Sequence, residues 1–397
     1  MLRIPIKERP RWRERAAEFG FNFHTMYGEP YWDETAYYQF SLQQIERDIE
    51  DPTAELHSMC LAVVDKVSKD SFWLERFQIP ELYWDAIAQS WQQQQPSLYS
   101  RLDLVYDGHS AAKLLENNAD TPTSLYESGF WQWLWLQDNV DKGLLPRGSD
   151  QFNSLQEKLI KQLGVIADYY QTPDMHFSCC KDTEEDRGTV QYLQDCASDA
   201  GVRNHFVFIE DIGIAEDTNG ETIFSDLDDT AISTCFKLYP WEFMLREDFG
   251  PEILNAKTQW IEPIWKSILS NKALLPLLWE MFPNHPNLLP AFFADKWNKP
   301  GSIETSFGKW VKKPLYSREG ANISILDGSK PVYATEGPYG DEGYIIQAHT
   351  PLPRYGDNHT LIGSWLVNDE PAGISVREDI SPITQDLSRY LPHVING

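Results

Sequence analysis

The stretch Arg101-Leu102-Asp103-Leu104-Val105-Tyr106-Asp107-Gly108-His109-Ser110, with Lys113-Leu114-Leu115-Glu116-Asn117-Asn118-Ala119-Asp120 behind it, decides the reading of this chain. It reads as a β-hairpin that is polar where a buried strand should be apolar. Strand side chains alternate faces, so Arg101 and Asp103 share one face, as do Glu116 and Asn118. A turn near Gly108-His109 sets Asp103 across from the Glu116 region. An aspartate, a glutamate and an asparagine amide oxygen then converge. Hard oxygen donors suit Mg2+, which keeps several waters and binds through few carboxylates plus substrate phosphates. The hairpin therefore points to phosphate chemistry. Leu104-Val105 and Leu114-Leu115 give it an apolar side, so it is half buried rather than a solvated surface ribbon.

Moving outward, the chain of 397 residues is long enough for several lobes around more than one core. Its 42% hydrophobic and 13% aromatic content is that of a folded protein. Fifteen tryptophans include the run Trp131-Gln-Trp133-Leu-Trp135, which reads as packing rather than a sugar platform. Sixty acidic residues against 34 basic give a net charge of −26. That field repels nucleic acid and anionic membranes and attracts cations, a polyamine included. Five cysteines, none in a CxxC pair and two of them adjacent (Cys179, Cys180), suit free thiols in a reducing cytoplasm. The N-terminus shows no signal-peptide apolar region, and no run reaches the ~18 apolar residues of a membrane span.

Residues 1–100 read as mainly helical, with helices over 33–51 and 54–69. Helices over 128–138 and 150–163 follow the hairpin. A strand over 175–179, a helix over 182–200 opening on Asp182-Thr-Glu-Glu, and a strand over 205–210 form a strand–helix–strand unit and a small parallel sheet. Segments 222–224 and 234–238 are expected to continue it. Residues 254–278 read as one helix. From Gly308 onward alternating runs over 310–315, 322–326, 344–349 and 360–367 make the chain mainly β.

Lys272, in Ser270-Asn-Lys-Ala-Leu-Leu-Pro276, lies in an apolar stretch, where a lysine either snorkels outward or reaches a phosphate. Lys313 precedes Pro314 and is biased to extended structure. The loop Tyr316-Ser-Arg318-Glu-Gly320-Ala-Asn322-Ile follows, and Gly320 lets backbone approach a ligand closely. Two motifs read as chance matches. Asp226-Leu-Asp228-Asp-Thr230 has the spacing of an aspartate-nucleophile phosphatase but lies deep in the chain, in an acidic loop. Cys179-Cys180 near His176 reads as buried inert thiols.

The hairpin, Lys237-Leu-Tyr-Pro-Trp-Glu242, the Lys272 segment, Phe282-Pro-Asn-His-Pro, Lys313-Pro314 with Arg318-x-Gly320-x-Asn322-Ile, and Ile380 to Thr384 together resemble the synthetase domain of the glutathionylspermidine synthase family. They span most of the chain in that family's order, and the whole resembles its stand-alone bacterial acid–amine ligase type. The resemblance implies an α+β, permuted ATP-grasp fold with a pre-ATP-grasp α/β subdomain, in one synthetase unit over 1–397. A helical part (1–100), the metal-binding hairpin (101–140), a pre-ATP-grasp part (165–250) and the lysine, glycine-loop and adenine-hinge part (260–397) would divide it.

It implies Mg2+ on Asp103, Glu116 and Asn118. ATP would meet Arg101, Asp103, Lys272, Lys313, Gly320, the hinge Gln347-Ala348-His349 and the pocket wall Pro382-Ile383-Thr384. Arg101, Arg318 and Arg377 would act on the reacting groups, and Thr121 on the acid substrate. The activity implied is ATP-dependent ligation of a small acid, such as a glutathione-like peptide, to an amine such as a polyamine, through an acyl phosphate. Bifunctional relatives carry a Cys/His amidase domain for which this chain has no room, so hydrolysis of the amide is not expected. Two other readings stay open: an ATP-binding protein without ligase activity, and a carboxylate-pair glycosidase.

Overall fold

Tyr99–Val105 is buried along its whole length, as a strand flanked on both edges and covered on both faces must be. Lys113–Asn118 pairs antiparallel on one edge and Asn358–Val367 on the other. Glu370–Asp379 and Arg389–Leu391 extend the sheet, and Arg354–Tyr355 pairs with its Asn358–Val367 strand. Hairpin and C-terminal strands, some 250 residues apart in sequence, thus form one antiparallel sheet. The chain is seen in a computed structural model that describes residues 1–172, 174–296 and 308–396.

A second antiparallel sheet has the order Ala291–Phe293, Tyr344–Ala348, Lys309–Pro314, Ser324–Asp327, Lys330–Ala334. A third sheet is parallel, in the order Gln259–Ile261, Thr234–Leu238, Asp174–Cys179, Arg203–Phe206. The helix Glu184–Asp199 supplies one of its crossovers. Leu2–Pro5, Ala36–Phe40 and His393–Ile395 form a small sheet that joins the two chain ends.

The apolar face of the ribbon (Leu102, Leu104, Leu114) is fully buried. It belongs to one cluster with Leu56, Val63 and Val67 of the helix Asp51–Val67 and with Ile362, Ile374 and Val376 of the neighbouring strands. Each such side chain contributes roughly 1.5–3 kcal/mol by burial, so the ribbon's polar face is held against a rigid base. The start of the strand is fixed by a buried carboxylate. Glu262 accepts from the N–H groups of Leu98 (3.0 Å) and Tyr99 (2.9 Å) and from Lys266 Nζ (2.8 Å). Tyr99 stacks between Phe236 of the parallel sheet and Trp365 of the large one.

Several expectations hold. The strand Asp174–Cys179, the helix Glu184–Asp199 and the strand Thr234–Leu238 lie where the pattern put them. Trp131 and Trp135 are buried packing residues, while Trp133 is 41% exposed. Others are corrected. Residues 1–100 are mainly helical from Leu42 onward, but Leu2–Pro5 and Ala36–Phe40 before it are strands. The aromatic run Ala-Tyr-Tyr-Gln-Phe sits in a sheet, and the helix over 33–51 begins only at Leu42. Thr222–Ser225 pairs with Gly213–Glu216 and does not join the parallel sheet. Residues 254–278 are broken by the strand Gln259–Ile261, a buried edge of that sheet whose apolar residues mimic helix periodicity. The strand over 205–210 is Arg203–Phe206, followed by a short 3-10 turn. The described residues contain no helix long and apolar enough to cross a membrane.

Candidate active site

The predicted ribbon register is observed: Asp103 faces Glu116 and Arg101 faces Asn118. Arg101 donates to both carboxylate oxygens of Asp103, at 2.7 and 3.3 Å, and to Thr123 O at 3.1 Å. Asn118 Nδ2 donates to Asp103 Oδ2 (3.1 Å) and Glu116 Oε1 (3.3 Å). The amide thus turns its nitrogen, not its oxygen, toward the two carboxylates. A half-turn of the amide exchanges the two atoms and completes an oxygen donor set.

Two lysines come from elsewhere. Lys272 lies between the short helices Ser267–Ser270 and Leu274–Met281. Its Nζ meets Glu116 Oε2 at 3.0 Å and donates to Ser317 O at 2.8 Å. Lys313, on the second sheet, donates to Leu115 O (2.9 Å) and Gln347 Oε1 (2.8 Å). Burial pulls the Lys313 ammonium down to about 8, against the upward pull of Glu116. Burial would raise Glu116, but Lys272 and Lys313 outweigh it and hold the carboxyl down at about 2. Asp103 moves the other way, raised by burial against the pull of Arg101.

The glycine loop closes from the side. Gly320 has φ +69°, and a Cβ there would lie 2.5 Å from Thr384 O and 2.9 Å from Ile383 Cγ2. The loop is thus packed against the wall at Pro382–Thr384, which only glycine permits. Arg318 donates to Glu242 Oε1 through Nε (3.2 Å) and Nη2 (3.0 Å), and to Thr121 Oγ1 through Nη1 (2.5 Å). Thr121 follows Asp120, whose carboxylate is fixed by buried Lys237 Nζ (2.9 Å) and Trp241 N–H (2.7 Å). Arg377 donates to Gln385 O at 2.6 Å and lies over the Tyr390 ring.

One cleft with about 1280 Å³ of free space, its mouth included, is lined by all sixteen side chains singled out from sequence. The ribbon contributes Arg101, Asp103, Glu116, Asn118 and Thr121. Lys272, Lys313, Arg318 and Gly320 face it, with Gln347, Ala348, His349, Arg377 and Pro382–Thr384 beside them. Within the proposed hinge, Gln347 is turned inward: its Nε2 donates to Leu114 O and its Oε1 accepts from Lys313. In the loop, the N–H groups of Ala321, Asn322 and Ile323 already have protein partners. The phosphatase-like motif lies apart. Asp226 accepts from the N–H of Asp228 and Thr230 and pairs with His176, outside the cleft. Both ribbon carboxylates are ion-paired, which leaves neither as the free acid that glycoside hydrolysis needs.

Sequence reasoning missed a second set of lining residues: Tyr31, Thr123, Glu185, Glu319, Asp386 and Tyr390. Asp182-Thr-Glu-Glu was read as a helix cap. The helix does begin there, but its N-cap Thr183 makes no side-chain cap bond, and Glu185 reaches the cleft instead. Burial raises Glu185 to about 7 and Asp186 to about 6. A run of three acids at a helix start that no cap requires was the available signal. Arg377 faces both sets, Asp103 in one and Glu319 in the other, and also the buried Glu127 behind the second.

The residues fit a divalent cation in chemistry. Among the described residues no three His, Cys, Asp or Glu side chains are grouped to hold a metal. An ion on the ribbon would thus use two carboxylates, one amide oxygen and ligand phosphates, the donor set that Mg2+ favours.

The family described as glutathionylspermidine synthase preATP-grasp matches residues 3–396. A Haemophilus influenzae protein named "Putative acid--amine ligase" is 40% identical over 396 residues, which is 97% of this chain and 97% of that one. The bifunctional glutathionylspermidine synthetase/amidase of Escherichia coli is 26% identical over 387 residues, 90% of this chain and 59% of that longer protein. Among solved structures, an apo glutathione synthetase-like effector (GSS30) from Globodera pallida superposes with a TM-score of 0.56 at 10% identity, over 100% of both chains. That last likeness concerns the fold.

Proposed function

Because the chain belongs to the glutathionylspermidine synthase preATP-grasp family, we propose that it is an ATP-dependent acid–amine ligase that makes an amide through an acyl phosphate. A carboxylate of the acid attacks the γ-phosphate, ADP leaves, and the amine then displaces phosphate from the acyl carbon. The observation that carries this reading is the pairing within one cleft of a cationic set (Arg101, Lys272, Lys313, Arg318, Arg377) with an acidic one (Glu185, Glu319, Asp386). Nucleotide binding alone would call for the first set only.

Asp103, Glu116 and Asn118 would hold Mg2+, which when bound neutralises charge on the phosphates. Lys272 and Lys313 are buried beside the ribbon and suit the β- and γ-phosphates. Arg101 and Arg377 suit the transferred phosphoryl group. Arg318, tied to Thr121, suits the carboxylate of the acid, so that the two reacting groups meet in a fixed geometry. Gln347 positions Lys313, and Ala348 and His349 at the end of that strand suit the adenine edge. Ribbon carboxylates that precede both lysines in sequence support a permuted ATP-grasp arrangement, the one the family resemblance implies.

The acids, together with the net charge of −26, favour an amine carrying more than one positive charge, as polyamines do. The acid partner is of the glutathione-like peptide type. Amide hydrolysis by a cysteine nucleophile is not part of the function. Cys60, Cys179, Cys180 and Cys196 are raised by burial to about 12, and Cys235 is raised further, so none is an activated thiolate. All five are free, which suits a cytoplasmic protein.

The test is a matrix of small acids and amines with Mg-ATP, read as ADP release and amide by mass spectrometry. One pair should give ADP and amide in equal amounts. Amide formed without ATP, or ADP release unaltered by Asp103→Ala, overturns the reading.

A further inference from the structure

Glu127 is a buried acid for which the ligase reading so far has no use. It opens a π-helical turn, Glu127–Trp131, at the end of the segment that leaves the ribbon. Such widened turns recur at functional sites. Its exposure is 0%, and neither carboxylate oxygen has a hydrogen-bond partner. A charged carboxylate in that position costs far more than a neutral carboxylic acid. The Tyr31 hydroxyl donates to Glu185 Oε1 at 2.7 Å and also faces Glu127, and Tyr31 itself lines the cleft. Tyr31 is itself held by packing against Tyr390, with ring centroids 5.1 Å apart. Glu185 alone of the two acids lines the cleft.

We propose that Glu185 accepts the proton that the amine must lose before it attacks the acyl carbon, with Glu127 and Tyr31 as the positioning residues behind it. This rests on the ligase reading above. A bound alkylammonium gives one N–H proton to a Glu185 oxygen. The freed nitrogen lone pair forms the C–N bond with the acyl carbon. The bond from that carbon to the phosphate oxygen breaks, and phosphate leaves with the electron pair. The second N–H proton leaves to the departing phosphate, and a neutral amide remains.

Two buried carboxyls that face one another and one hydroxyl hold one proton between them near neutrality. The bound cation favours the charged form of Glu185, so the shared proton resides on Glu127. The pair then presents one negative charge to the amine instead of two. The surroundings agree. Burial, then the facing Glu185, lift Glu127 to about 8, against Arg377. Burial lifts Glu185 to about 7, with Asp186 of its own helix and Asp386 of the 382–390 loop adding to it. Glu319 of the glycine loop and Tyr390 also face Glu185, and Tyr126 faces Glu127. A carboxylate in that range is a competent base near neutral pH, which an ordinary surface glutamate is not.

Hydroxylamine separates this step from the rest, because it is largely uncharged at neutral pH and needs no base. With Mg-ATP and the acid, the wild type should give a hydroxamate from hydroxylamine and an amide from the alkylamine. Glu185→Gln should lower the amide-to-hydroxamate ratio about 10²–10³-fold. Glu127→Gln should remove the upper ionisation, near pH 8, from the profile of kcat/KM for the amine. An equal loss of both products in Glu185→Gln, no loss of either, or an unchanged pH profile in Glu127→Gln overturns the proposal. A wild type that forms no hydroxamate overturns the ligase reading itself.

Discussion

At one side of the cleft Glu116 meets Lys272 at 3.0 Å and Asp103 meets Arg101 at 2.7 Å. At the other, Glu185 is met by the Tyr31 hydroxyl, and Glu127 has no hydrogen-bond partner. Asp103, Glu185 and Glu127 are buried and Glu116 is partly exposed, yet Glu116 is held down at about 2 while Glu127 is pushed up to about 8. Burial alone raises every one of them. What differs at Glu116 is the pair Lys272 and Lys313, which together outweigh burial, whereas Arg101 does not outweigh it at Asp103. Glu116 is built to stay charged and so to hold another charge. The helix end is built to exchange a proton at working pH.

The sharpest break of that contrast is removal of a charge-holding carboxylate. Glu116→Ala leaves Lys272 and Lys313 without their shared anion and takes away one oxygen donor. We expect ADP release and amide formation to fall by about 10²–10³ or more. Near-native far-UV circular dichroism should persist, because the ribbon's apolar face still packs. Turnover within tenfold of wild type would remove the ribbon from the chemistry.

The ribbon end was legible from sequence and the helix end was not, and the reason is physical. Alternation puts Arg101, Asp103, Glu116 and Asn118 on one polar face through pairing alone, so two short strands and a turn suffice to predict their meeting. Lys272 and Lys313 needed the resemblance, since neither spacing nor period brings them to Glu116. Glu127, Glu185 and Tyr31 come from a π-helical turn, a helix start and an N-terminal loop, and the two that bond are 154 positions apart. No local pattern encodes that contact. The strand Ala36–Phe40 was misread for a similar cause. Its partners are Leu2–Pro5 and the distant His393–Ile395, so its pairing was invisible and its aromatic run passed for a helix.

Next in size is the buried pair at the ribbon's exit. Asp120 and Lys237 are 1% and 0% exposed at their side chains and 2.9 Å apart. Asp120→Asn strands an ammonium that burial already pushes toward neutrality. The cost should be about 3–5 kcal/mol, read from the shift of the urea midpoint. A shift under about 1 kcal/mol would mean that fixed pairs here serve geometry and not stability.

Smaller, and opposite in sign, is the effect at the proton-exchanging end. Glu127 has a folded pKa raised above its unfolded value, so folding takes up a proton between the two. Its cost to stability is absent in acid, grows as pH rises from the ordinary carboxylate range, and is complete above about 8. Glu127→Gln should therefore stabilise the protein at pH 8, by something on the order of 2 kcal/mol, and change little at pH 4. Glu116 runs the other way: its contribution is present above the ordinary carboxylate range and is lost as pH falls toward about 2. Melting curves of Glu127→Gln and wild type that stay parallel from pH 4 to 8 would contradict the assignment.

The smallest effect isolates burial from pairing. Arg76 donates to Asp295 through two nitrogens, each at 2.9 Å, a geometry as good as that of Arg101 with Asp103. The Asp295 side chain, however, is 52% exposed, against 6% for Asp103. Water already solvates those charges, so the pair gains little over the separated ions. Asp295→Asn should cost less than about 1 kcal/mol and leave ADP release within twofold of wild type. A cost near that of Asp120→Asn would show that two-nitrogen pairing, wherever it lies, sets the energy. The contrast between the two ends of the cleft would then have to be explained without desolvation.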